Sequence, residues 1–115
     1  MRIPSLLMPI AAVAVLAGCA ATSATPQGAA VELVTARPSG CQALGEVVGK
    51  QGNVFSGDFT SNENLMVGAR NDLRNKAAGL GGNVVHVQNT LNATHPYSSG
   101  AVSTTMVGMV FACPK

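Results

Sequence analysis

A chain of 115 residues is long enough for one small domain and too short for two of ordinary size. Its charged content, 10 %, lies far below the roughly one quarter usual in soluble proteins, while 47 % of it is hydrophobic and only 3 % aromatic. The net charge of +2 comes with no arginine cluster or basic stripe, which excludes the electrostatic footprint of a nucleic-acid binder.

Residues 1–18 open with a single cation, Arg2, continue as an apolar run from Ile3 to Leu16, and end in the small pair Ala17-Gly18. That is the layout of a secretory signal. The run is shorter than the roughly 20 apolar residues a membrane span needs, and Pro4 and Pro9 count against a continuous helix. Leu16-Ala17-Gly18-Cys19 resembles the lipobox of bacterial lipoproteins. The resemblance implies that the Cys19 thiol receives a thioether-linked diacylglycerol, becomes the first residue and is then N-acylated. Each buried methylene contributes about 0.8 kcal/mol, so two or more acyl chains hold a small protein firmly. Ala20, rather than Asp, follows the cysteine; by analogy with enteric lipoproteins this implies sorting to the outer membrane, facing the periplasm. Residues 19–30 read as a lipidated cysteine and a flexible tether, small and uncharged with one Pro and one Gly. Eleven such residues span at most about 38 Å.

Residues 31–115 read as the globular periplasmic domain. Val31–Ala36 is β-branched and weakly alternating, and predicts a strand; Arg37-Pro38-Ser39-Gly40 is a turn. Residues 43–49 predict a second strand, with Gly45 as a bulge or close-approach site. Residues 50–60 read as a loop whose Val54, Phe55 and Phe59 reach the core or pack beneath the loop.

The strongest local signal is a helix within 60–83. Thr60 and Glu63 fit a capping box, with Ser61 as the alternative cap. Leu65, Ala69, Leu73, Ala77 and Leu80 form one apolar stripe, and Gly81-Gly82 supply a left-handed stop. The two Ala on that stripe predict close approach to a sheet. A third strand is expected at 83–88, a polar loop at 89–102, and a long final strand at 103–113 whose apolar face the pattern leaves unassigned. The order β-β-α-β-β predicts an α+β domain, one helix packed on a four-stranded and mixed sheet.

Cys41 and Cys113 remain once Cys19 is set aside. One disulfide between them suits an oxidising periplasm; two buried thiols or a redox pair are the alternatives, although no C-x-x-C is present.

Cys41 ahead of Leu44-Gly45-Glu46-Val47, the pair Ala69-Arg70, the block Leu73-Arg74-Asn75-Lys76-Ala77-Ala78, Gly81-x-Asn83 and a final strand ending in Cys113 carry a resemblance across residues 31–115. The chain resembles a family of small, uncharacterised proteobacterial lipoproteins of the YjeI-like type, built on a domain of unknown function. That family is similar in turn to the signalling domain of the Rcs envelope-stress sensor lipoprotein. The sensor domain has two disulfides and a longer proline-rich tether, whereas this chain has one cysteine pair and a single Pro26 before its domain.

No enzyme, cofactor or small-molecule substrate is expected. His86 and His95 stand nine residues apart without acidic or thiol neighbours, a poor metal pair. The acidic residues Glu32, Glu46, Asp58, Glu63 and Asp72 are scattered, leaving no close acid/base pair. Arg70, Arg74 and Lys76 give the helix a basic face interrupted by Asp72; it is either a solvated face or a docking surface for an acidic partner or anionic headgroups. Tyr97, in the polar loop with His95 and Pro96, is the other expected contact. The function expected is that of a membrane-anchored, non-enzymatic interaction or stress-sensing module with an envelope protein as partner. A structural envelope lipoprotein without signalling output is the alternative.

Overall fold

A computed structural model describes residues 21–52, 62–94 and 101–115. The leader, Cys19, Val54, Phe55, Phe59, the expected caps Thr60 and Ser61, and His95, Pro96 and Tyr97 lie outside the described residues. The elements are α1 (Pro26–Ala29), β1 (Glu32–Val34), β2 (Gln42–Gly52), α2 (Asn62–Gly79), β3 (Val84–Thr94) and β4 (Ala101–Ala112). Apart from the single turn α1, the order is the expected β-β-α-β-β.

The stripe on α2 does what its spacing predicts. Leu65, Ala69, Leu73 and Ala77 are each 0 % exposed, and the last three form one core with Val31, Val85, Met106 and Val110. Small residues let helix and sheet meet closely. A Cβ at Gly49 of β2 would sit 2.6 Å from the Leu73 backbone nitrogen, so only glycine fits there. Leu80 departs from the expectation, because it is exposed. The helix has already ended: the Gly82 N–H donates to the Ala77 carbonyl at 3.0 Å and the Gly81 N–H to Ala78 at 2.9 Å, with Gly81 at φ 86°. This paired closure swings Leu80 off the stripe.

Four strands form one mixed sheet in the order β1-β3-β4-β2. β1 runs parallel to β3, whereas β4 lies antiparallel to both β3 and β2. On β4 the buried residues Val102, Thr104, Met106, Gly108 and Val110 alternate with half-buried ones. Period two therefore assigns the face left open by the sequence: these five look toward α2. Phe111 packs on the opposite face beneath the Arg37 guanidinium, 4.9 Å from the ring centroid. The β2–β4 register skips between Ala43 and Gly45, the bulge that Gly45 predicts.

β3 is longer than expected. Residues 89–94, read as loop, pair with β4 from Asn89↔Val107 to Thr94↔Ala101. Their polar side chains hide a strand that backbone pairing sustains. β1 is shorter, three residues rather than six.

The stretch expected as a free tether is docked on α2. Thr25 caps α1 by accepting from the Gly28 N–H, and Asn75 accepts from the Thr25 N–H at 2.8 Å while donating to the Ser23 carbonyl at 3.0 Å. Asn71 donates to the Thr22 carbonyl at 2.9 Å, and Gln51 accepts from the Thr22 N–H at 2.9 Å. Polar side chains thus fasten a segment that apolar periodicity does not reveal.

Helix α2 also shields the outer edge of β2. Asp72 accepts from the Lys50 N–H at 2.8 Å, Lys76 donates to the Val48 carbonyl at 2.8 Å, and the two side chains pair at 3.0 Å. Charged side chains placed on an edge discourage further strand pairing. Cys41 and Cys113 flank the Gln42↔Ala112 pair and form a disulfide, with Cα atoms 4.4 Å apart and a sequence separation of 72.

Candidate functional site

Helical spacing of four places Arg70 and Arg74 one turn apart on the flank of α2 that overlooks β1 and β3. Between them lies an open groove of about 460 Å³. Its floor is apolar, made by Met66 of α2, Leu33 of β1, Val87 of β3 and Met106 of β4; the hydroxyl-bearing Thr35 and Thr90 stand at its sides.

The two arginines differ in role. Arg74 is half-buried, donating from Nε to the Val31 carbonyl at 3.2 Å and from Nη1 to Asn71 Oδ1 at 3.4 Å. Arg70 is exposed and makes no hydrogen bond or ion pair with the described residues. Its cation borders an apolar floor, and no carboxylate lines the groove among the described residues.

The single basic face expected for α2 is divided. Arg70 and Arg74 border the groove, but Lys76 lies on the β2 flank, tied to Asp72 and Val48. Cys19 and Tyr97 fall outside the described residues. His86 sits half-buried across from Met109 on the sheet face away from α2. Among the described residues no three His, Cys, Asp or Glu side chains gather within reach of one metal ion. No described helix is long and apolar enough to cross a membrane.

Sequence reasoning finds the arginines and misses the floor. Met66, Val87 and Met106 come from three elements, and nothing in their spacing joins them. Asn83 is a further residue whose role appears only in three dimensions. Its side chain accepts from the Cys113 N–H at 2.8 Å and donates to the Cys113 carbonyl at 2.9 Å. Its own carbonyl accepts from the Glu32 N–H at 3.0 Å, so it joins the start of β1 to the end of β4.

The comparisons match this folded unit. A relative described as uncharacterised protein YjeI, from Escherichia coli strain K12, is 33 % identical over 108 residues, covering 92 % of each chain. Proteins of the same description from E. coli O6:H1 and from Shigella flexneri match to the same extent. A family model for a domain of unknown function, DUF4156, covers residues 22–113, from the first docked residue on α2 to the second disulfide cysteine. The chain belongs to the DUF4156 family, a domain of unknown function.

Proposed function

We propose that the protein is a lipoprotein anchored in the outer membrane through Cys19, and that its periplasmic domain is a non-enzymatic module that binds another envelope protein. The observation that carries the reading is the Cys41–Cys113 disulfide. A structural disulfide persists in an oxidising compartment, and the periplasm is where the leader and lipobox would deliver the chain. The groove supports interaction rather than structure alone, since it exposes Arg70, unpaired among the described residues, above an apolar floor. The likeness of the YjeI-like family to the signalling domain of the Rcs sensor supports envelope-stress sensing as the output.

Intact mass of the protein purified from membranes tests the anchor. The expected species lacks residues 1–18, carries diacylglycerol and an acyl chain at Cys19, and has lost its two thiol hydrogens. A product that keeps Met1, or a cytosolic one with free thiols, overturns the reading. A deletion strain tests the output: a changed envelope-stress reporter supports sensing, while altered permeability alone assigns the protein a structural role.

A further inference from the structure

The two edges of the sheet are treated differently. At β2 the edge is covered by the Asp72–Lys76 pair. At β3 the edge is covered, among the described residues, only by β1, which pairs with Val84, Val85 and His86 and then turns away. From Gln88 to Thr94, β3 has β4 on one side and no strand on the other among the described residues. That stretch contains no charge and no proline, two of the devices that keep a bare edge from pairing; its pairing with β4 is irregular at Gln88 and at Thr94 and regular from Asn89 to Ala93.

The side of β3 left open among the described residues lies against the groove. A strand laid along β3 beyond β1 would turn alternate side chains toward α2, over the apolar floor and beneath Arg70 and Arg74. Backbone hydrogen bonds supply affinity in such strand addition, and alternate side chains supply specificity.

Resting on the interaction reading above, we propose that this vacancy takes an extended acidic segment of a partner protein. The segment completes the sheet beside Gln88–Thr94, places apolar side chains against Met66 and Met106, and offers a carboxylate to Arg70. Arg70 beside an apolar floor selects an acidic, partly apolar occupant; dimerisation of the chain through this edge in place of peptide binding overturns the proposal.

The test uses the full chain purified from membranes in detergent, and a fluorescein-labelled seven-residue peptide, Ser-Val-Ser-Glu-Ser-Val-Ser, whose Val and Glu side chains share one face when it is extended. Anisotropy should show saturable binding, and the amides of Gln88–Thr94 should gain hydrogen-exchange protection. Arg70→Glu should weaken binding about tenfold, because a charge pair becomes a repulsion. Lys115→Glu, the same charge change at an exposed distant site, should leave binding within about twofold. The same peptide N-methylated at alternate residues should fail to bind, since it cannot donate to the edge. Equal loss in both variants, or undiminished binding of the N-methylated peptide, overturns the strand site. So does binding of phosphatidylglycerol vesicles with the same Arg70 dependence while the peptide is ignored. Intact mass on the same preparation separates the two readings: a lipidated, disulfide-bonded chain that ignores the peptide removes this site and leaves the anchor.

Discussion

Both polar atoms of the Asn83 side chain go to the backbone of Cys113, one to its N–H and the other to its carbonyl. Replacing it with alanine strands a partly buried N–H and carbonyl. Asn83→Ala should destabilise the domain by about 1–3 kcal/mol, read as a lower urea midpoint with an unchanged slope. Gly49 is constrained in the opposite sense, by lack of room. Gly49→Ala should push β2 off α2 and cost roughly 1–3 kcal/mol by overpacking. In a domain of this size that lowers the melting temperature by about 4–8 °C per kcal/mol, measurable by circular dichroism.

Among the elements, α2 was the most legible in sequence because its apolar residues recur with the period of the structure they form. Leu80 misled because it continues the spacing past the point where Gly81 closes the helix. The far half of β3 was illegible for a different reason. Asn89, Thr90 and Asn92 are ordinary loop residues, and what makes them a strand is pairing with β4, set by chain topology rather than composition. The docking of residues 22–30 escaped notice because side-chain amides from distant positions hold it. This contact is testable. Asn75→Ala should raise amide exchange at Thr25 and Gly28 while leaving the strand core protected, since local openings need not involve global unfolding. The covered edge of β2 gives a second test. Asp72→Ala with Lys76→Ala should change stability by no more than about 1 kcal/mol, because exposed ion pairs contribute little. Light scattering should nonetheless report increased self-association, because the pair's main effect is on what the edge can pair with.

At the scale of the whole molecule, few large side chains are available to the core. Phe111, Leu65, Leu73, Val85 and Val110 are the largest fully buried apolar residues, and Met106 and Val31 add to them. A core of this size stands close to the limit at which small domains need reinforcement. The disulfide closes a loop with a sequence separation of 72. On the chain-entropy account that is worth about 4 kcal/mol, a large share of the roughly 5–15 kcal/mol by which domains are stable. Cys41→Ser with Cys113→Ser should therefore leave a substantial unfolded fraction at 37 °C, seen as lost chemical-shift dispersion in NMR spectra. A well-dispersed spectrum would assign the stability to packing instead.

The fastening of Thr22 to α2 sets how far the protein can reach. Were the chain moored at Cys19, only Ala20 and Ala21 would remain as a leash, about 11 Å at full stretch. The domain would then ride at the lipid headgroups and never patrol the periplasmic gap. Any partner would then have to come to that membrane surface, or release the segment from Asn71 and Asn75 to lengthen the leash.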